Sequence, residues 1–454
     1  MQLVAYGAQD VYLTGTPKVT FFQAVYKRHT NFAMETIEQT VNGSATNGGR
    51  VSVTVARNGD LIGDMYLELP TQVGLSHRAG DDTVGSGVWV AERAIKSVEL
   101  SIGGQRIDKH YVMWWRLYSE LMLDDTKKSA YAKITTCSTG EAQSVFLPLL
   151  FFFNRNAGLY LPLIALQYHE VRLDFDLADK YAAYFTSGLK VWGNYVYLDT
   201  EERRRFAQKG HEYLIEQVQH TGADTVGTAG TAGGSDKNVR LSYNHPVKEL
   251  VWCFNDGGTG TANSTAWNFT HGATTSGAVV LTCNPRKAQL EVPVNVLGNV
   301  FTLSSLSTAA GVPQMLTGNA VTTNAGFGSA NAWVEDGITC APTNPLSVGP
   351  LDKFKLILNG QDRFKEQSGK YFNQVQPWAH HSGCPYPGVY SYSFALKPEE
   401  HQPTGTCNFS RIDNAQVSLK LKAIATQTTT MHMFATNYNV LRIQSGMGGL
   451  AFSN

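Results

Sequence analysis

The sequence predicts an all-β chain built from two tandem antiparallel sandwiches, and three observations carry that expectation. One stretch of alternating apolar residues ending in a turn occurs twice. Val98–Lys109 reads VELSIGGQRIDK and Phe354–Lys365 reads FKLILNGQDRFK, 256 residues apart when Gly104 is set on Gly360. Val98, Leu100 and Ile102 in the first copy, and Phe354, Leu356 and Leu358 in the second, repeat with the period of a half-buried strand. The Gly103-Gly104 and Asn359-Gly360 pairs tolerate the positive φ that a tight hairpin requires. A second pair echoes the first: Gln167–Leu177 reads QYHEVRLDFDL and Asp413–Leu421 reads DNAQVSLKL, placing Val171, Leu173 and Phe175 on Val417, Leu419 and Leu421 at a spacing of 246. Helical periodicity, finally, is scarce, whereas short apolar runs bounded by Gly and Pro are many, as in a sandwich or jelly roll.

A chain of 454 residues has room for two or three cores, and about 250 residues per unit suits a large β sandwich. Lys+Arg and Asp+Glu are 37 each, so the net charge is zero, and no basic tail or stripe marks a protein that binds nucleic acid directly. Charged residues make up only 16%, against an average of about 25%, while aromatics reach 11% and Gly numbers 43. That balance fits a β protein that buries surface against partners. Met1–Asp10 lacks the basic start and apolar core of a signal peptide. No run approaches the ~20 apolar residues of a spanning helix. The six Cys are scattered without a CxxC pair, so reduced thiols, and no metal or cofactor, are expected.

Taken in order, Tyr6–Thr20 is polar and turn-rich, and Phe21–His29 (FFQAVYKRH) has the apolar spacing of a short helix. Ile37–Val55 reads as two strands around a tip at Asn42–Gly49, and Asp60–Leu69 as another strand. Gly74–Gly87 is a loop before Val88–Ile102 and its GGQR turn. Asp108–Leu123, rich in Trp and Tyr, reads as a helix across one end of the sheets. Phe146–Phe153 and Leu159–Leu177 read as strands joined at Gly158, and Leu189–Leu198 closes the first unit. Thr200–Gln208 (TEERRRFAQ) is a charge-rich joint, whose arginines are a solvated face more readily than a phosphate contact. His211–Gln219 opens the second unit. Gly222–Ser235, Asp256–Gly277 and Ser304–Pro350 are long polar loops, of the kind that carry function. Tyr386–Leu396, Gln416–Ala423 and Tyr438–Ile443 return to strand pattern.

The residues offer little chemistry. His211-Glu212 begins like a zincin helix, but Ile215 stands where HExxH needs its second His. His380-His381 are adjacent, so on a strand they face opposite ways. Glu170, Asp174 and Asp176 share a strand face that resembles a calcium or glycosidase site, but Arg172 sits among them. Gly446–Gly449 has no Lys-Ser/Thr and is no phosphate loop. Asn42, Asn263, Asn268 and Asn408 head Asn-x-Ser/Thr sequons, and Asn263 and Asn268, in a long polar loop, are the expected glycan sites.

The opening GAQDVYLTGTPKVTFFQAVYKRHTNFAMET (Gly7–Thr36) resembles the start of major capsid proteins of nucleocytoplasmic large DNA viruses, those of algal viruses most of all. So do RNGDLI (Arg57–Ile62), GGQRIDKHY (Gly103–Tyr111), LPLIALQYHEVRL (Leu161–Leu173), HEYLIEQ (His211–Gln217), LNGQDRF (Leu358–Phe364), SFALKP (Ser393–Pro398), NFSRIDNA (Asn408–Ala415) and the NYNVLRI…GMGGLA ending (Asn437–Ala451). The matches run nearly the length of the chain and in order.

The resemblance implies a double jelly roll: two tandem eight-stranded antiparallel sandwiches with long loops and a few short helices. Its expected divisions are an N-terminal arm at 1–30, a first jelly roll at 31–208 and a second at 209–454. It implies a structural protein without catalytic residues, forming pseudo-hexagonal homotrimers that tile an icosahedral shell over an internal membrane. The arm would meet minor capsid proteins on the inner side, with Phe21, Phe22, Tyr26 and Arg28 as contacts, and the second unit's loops would face the host. Assembly would take place in the host cytoplasm. Two other readings stay open from the residues alone. One is a carbohydrate-binding or carbohydrate-cleaving jelly roll using Glu170, Asp174, Trp114, Trp115 and Trp192. The other is a minor penton or spike protein.

Overall fold

The computed structural model describes residues 7–73, 89–137, 142–227, 236–255, 349–383, 385, 388–421 and 429–452. In the first half the strands are β1 (Phe32–Gln39), β2 (Val41–Asn42), β3 (Arg50–Thr54), β4 (Leu61–Pro70), β5 (Ile95–Ile102), β6 (Gln105–Tyr111), β7 (Ser144–Pro148), β8 (Leu161–Pro162), β9 (Val171–Leu177) and β10 (Lys190–Leu198). In the second they are β11 (His211–Gly227), β12 (Lys237–Leu241), β13 (Pro246–Asn255), β14 (Leu351–Leu358), β15 (Gln361–Asp362), β16 (Gln367–Ser368), β17 (Val389–Ser393), β18 (Cys407–Asn408), β19 (Ala415–Leu421), β20 (Thr429–Gln444) and β21 (Met447–Leu450).

Pairing defines the architecture. The first sandwich faces a β1-β10-β4-β7 sheet with a β2-β3-β9-β5-β6 sheet, and the second faces β11-β20-β13-β17 with β12-β19-β14-β15. Setting the short β2, β8, β16, β18 and β21 aside leaves, among the described residues, eight strands in each half, connected in the same order. Numbered by rank, both halves read 1-8-3-6 against 2-7-4-5. That is the jelly-roll connectivity, repeated, and the chain is a double jelly roll.

The repeated stretches take the same form in both halves. Residues 103–104 and 359–360 form two-residue turns with φ of 58° and 82°, and of 52° and 78°. They close Ile102 on Gln105 and Leu358 on Gln361, the mirror-image turn that matches strand twist. Val98, Leu100, Ile102, Phe354, Leu356 and Leu358 are all buried. The second echo is in phase but two residues out of register. Ile102 pairs with Val171, whereas Leu358 pairs with Ala415, so the spacing is 244 rather than 246. A slip of two keeps every side chain on its own face, which is why the apolar pattern alone did not reveal it.

Several elements differ from expectation. Phe21–His29 forms no helix: a turn at 21–23 is followed by chain without regular structure. Among the described residues no second element covers Phe21, Phe22 or Val25, and a short helix is marginal without one. Phe146–Phe153 is strand only to Pro148, then turns into the helix Phe152–Arg155, whose aromatic rings are buried. Leu159–Leu177 is two strands, β8 and β9, separated by turns. β6 runs to Tyr111 before a helix occupies Val112–Leu121. Gly222–Gly227 continues β11 instead of opening a loop, because β20 reaches Thr429 to pair with it. The joint Thr200–Gln208 is an exposed helix capped by Asp199, with Glu201 and Glu202 in its first turn.

Candidate assembly surfaces

The polar residues that resembled a site are engaged structurally. His211 lies on β11 with Nε2 2.8 Å from the Phe206 carbonyl, and Glu212 pairs with Arg442 at 2.9 Å. Asp174 is held by Arg172 at 2.9 Å and Arg50 at 3.5 Å, and Asp176 accepts from Ser97. Trp114 and Trp115 are buried in the core while Trp192 is half-buried on a sheet face, so the three do not line one sugar-binding surface. His380 and His381 sit not on a strand but at the end of the helix Gln376–His380. Among the described residues no group of three His, Cys, Asp or Glu is placed to hold a metal ion.

What the fold builds instead is a seam between the two jelly rolls. The β11-β20-β13-β17 sheet has two buried faces. Leu250, Trp252 and Phe254 point into the second core. Val251, Cys253 and Phe434 join the first jelly roll's cluster. The helix Val112–Leu121 covers that outward face: the Trp114 ring lies 5.7 Å from Phe434, and Met113 Sδ 3.9 Å from Cys253 Sγ. β20 is therefore buried at every residue through Met433–Asn439.

Two sets of ionisable groups meet in this seam. Glu216 on β11 meets Lys248 of β13 at 2.6 Å and Arg155 of the first jelly roll at 3.0 Å. Burial pushes its carboxyl up, but the two cations outweigh that and hold it below the usual carboxylate range. His381 lies 3.3 Å from Glu249 and 3.3 Å from Glu399. Burial raises the Glu249 carboxyl against the opposing pull of His381 and Lys248. Asp108 Oδ1 accepts from the Val218 N–H at 3.1 Å, and Gln217 Nε2 donates to the Ile107 carbonyl, so β6 and β11 are joined through polar groups. Gly383 donates to the Leu121 carbonyl at 3.2 Å. At the chain's far end, His169 Nδ1 lies 2.8 Å from the Gly448 carbonyl, and Leu450 N–H donates to Gln105, tying β21 back to the first jelly roll.

Beside the seam lies an open cleft of about 470 Å³, with Arg106, Lys109 and Tyr111 on one wall and Gln219, Asp224 and Arg240 on the other. Its charges are mixed.

The N-terminal stretch is the opposite case, apolar and uncovered. Beyond the one-turn helix Val11–Thr14, residues 15–31 have no regular structure, and Phe21, Phe22, Tyr26 and Arg28 are all exposed, Phe22 at 99%. β1 continues this: it is exposed along most of its length and forms the edge of its sheet. Asn263 and Asn268 lie outside the described residues.

The comparisons agree with this geometry. A family profile described as large eukaryotic DNA virus major capsid protein matches residues 202–449, and one described as major capsid protein N-terminus matches 20–199. The chain is 42% identical to the major capsid protein of Paramecium bursaria Chlorella virus 1, covering 100% of this chain and 99% of that one. It is 39% identical to the major capsid protein of Phaeocystis pouchetii virus over the same shares. Among solved structures, a chain of the PBCV-1 virus capsid superposes with a TM-score of 0.73 at 38% identity, covering 96% of this chain and 100% of that one. The Faustovirus major capsid protein superposes with a TM-score of 0.63 at 12% identity, covering 97% and 94%, a likeness of fold. The chain is a double jelly roll, and with these identities over its whole length it belongs to the family of large eukaryotic DNA virus major capsid proteins, structural proteins of the virion.

Proposed function

We propose that three copies of this virion capsid protein form a homotrimer with a pseudo-hexagonal outline, and that such capsomers tile an icosahedral shell. The carrying observation is the repetition of one eight-strand connectivity twice in a chain, locked by a packed seam. Two like units per chain supply six around a three-fold axis, and a closed ring covers surface that a lone chain leaves open. Zero net charge limits repulsion between closely packed copies.

In this reading residues 1–30 are an arm, 31–208 the first jelly roll and 209–454 the second. The arm docks on minor capsid proteins at the inner face, near the internal membrane, through Phe21, Phe22, Tyr26 and Arg28. Its exposed rings support that role, since large apolar groups left in water mark a contact surface. Asn263 and Asn268 carry glycans on outward loops facing the host, the genome is not touched directly, and assembly takes place in the host cytoplasm. Light scattering after size exclusion tests the central claim. A species near three times 49.7 kDa, hexagonal in projection, is expected. A monomer at every concentration would overturn the reading.

A further inference from the structure

The seam within one chain is a joint between two kinds of element. A helix that connects the fifth and sixth strands of the first jelly roll, Val112–Leu121, lies on the outward face of the second jelly roll's β11-β20-β13-β17 sheet. Trp114 is its aromatic anchor on Phe434.

Each jelly roll owns both elements, so one of each is left over. The second jelly roll's connection between the corresponding strands carries a π-helical turn, Tyr371–Val375, and the helix Gln376–His380. Its Trp378 is 86% exposed. Val375, one turn earlier, and Leu396, whose carbonyl lies 3.0 Å from His380 Nδ1, are exposed large apolar residues on the same segment and its neighbour. An indole so exposed is unusual for a settled surface.

The unused acceptor is the outward face of the β1-β10-β4-β7 sheet. On β4, Met65 and Leu67 enter the core while Tyr66 and Glu68 face out. Trp192 sits opposite Tyr66 across the β10–β4 pair, and Phe146 opposite Glu68 across β4–β7. The Tyr66 and Phe146 rings meet edge-on at 5.9 Å, and Trp192 Nε1 donates to Glu68 at 2.8 Å. All three aromatics are half-buried. The corresponding strands of the second jelly roll, β13 and β20, place Val251, Cys253 and Phe434 outward, and those residues are buried under the first jelly roll's helix. The sheet face is the same, covered by a helix in one half and, among the described residues, by none in the other.

We propose that Trp378 of one copy docks on the Tyr66–Phe146–Trp192 face of a second copy, repeating between chains the joint that Trp114 makes within one. This rests on the homotrimer reading and names its contact. The contact is head-to-tail, and such contacts end only where the rotation closes. Three joints inside chains and three between them complete a ring of six. A buried Trp at the centre of each gives the joint its anchor.

The test uses the full chain. Trp378→Ser is expected to give a soluble protein with the wild-type circular dichroism spectrum, because the side chain meets little of its own chain. Its trimer dissociates at protein concentrations at least tenfold higher than the wild-type trimer does. In a second measurement, a photo-crosslinking phenylalanine analogue at position 378 forms adducts between chains. Mass spectrometry places them on peptides containing Tyr66, Phe146 or Trp192. Wild-type protein that is monomeric throughout overturns the trimer reading, and this inference with it. A wild-type trimer whose assembly is indifferent to Trp378→Ser, or whose crosslinks fall on other peptides, overturns this inference alone.

Discussion

His220 on β11 and His432 on β20 stack at 5.6 Å in the seam, with Phe434 at 4.4 Å and Tyr111 of the first jelly roll at 4.8 Å from His220. Burial, and secondarily the neighbouring His432, push His220 down to about 4, and burial alone does the same for His432. Asp224 on β11, Arg106 and Lys109 on β6 and Arg240 on β12 line the adjoining cleft. Above pH 6.5 both rings are neutral, folded or unfolded. As pH falls from 6.5 to about 4 the unfolded chain takes up two protons that the seam refuses, so stability is lost over that window and levels off below it. Between pH 7 and pH 5 linkage gives a loss of about 2 kcal/mol per ring, an upper bound of roughly 4 for the pair because water reaches part of His220. With an unfolding entropy of about 2.1 cal/mol/K per residue, the 454 residues give about 1 kcal/mol/K, so Tm falls by about 4 °C. The assay is thermal unfolding at pH 7 and pH 5, at fixed protein concentration, for wild type and for His220→Asn/His432→Asn. The double variant is expected to lose most of the pH difference. An equal fall in both proteins would refute the assignment to these rings.

Other perturbations address the cores and the seam. Val171→Asp and Val417→Asp each put a charge at a fully buried strand position and are expected to cost more than about 4 kcal/mol, read as insoluble protein or a collapsed urea midpoint. Full solubility of either would mean that its strand faces the other way. Glu216→Ala strands Lys248 and Arg155 in the seam and is expected to cost about 3–5 kcal/mol, whereas Glu216→Leu/Lys248→Met/Arg155→Met, which removes all three charges together, costs less. Comparing their melting curves separates the two. Gly383→Ala sets a Cβ 2.7–2.8 Å from the carbonyls of Glu120, Leu121 and Leu123, and is expected to raise hydrogen exchange along Val112–Leu121 without unfolding either sandwich.

How much of this was legible in the sequence follows from the range of each interaction. Alternation along Ile95–Ile102, Leu351–Leu358, Val171–Leu177 and Ala415–Leu421, with the Gly-Gly and Asn-Gly turns, is local, and those strands stand where the pattern put them. Register between strands is not local, hence the two-residue slip in the second echo. β20 was read only from Tyr438 because its earlier residues are apolar or polar on both faces alike, as suits a strand lying between two cores. Phe152 and Phe153 extended an apolar run and so looked like strand, although their rings close a helix corner. The seam's ionic sets were invisible: Arg155, Glu216 and Lys248, or Glu249, His381 and Glu399, are far apart in the chain and share no spacing rule. Trp378 was passed over because an isolated Trp in sequence does not announce whether it is covered.

The position of β20 also sets a timetable for synthesis. It lies between β11 and β13 in space, yet about 200 residues separate the end of β11 from its first residue. At ~5–20 residues per second, β11 is out on the order of 10–40 s before its sheet partner exists. The first jelly roll waits in the same way, since about 150 residues separate the end of β1 from its partner β10, but its strands are all made before β11 begins. A nascent subunit therefore passes through a stage with one sandwich finished and the other open. During it, Met113 and Trp114, already folded onto their helix, present their apolar side to the cell until the last long strand slides beneath them.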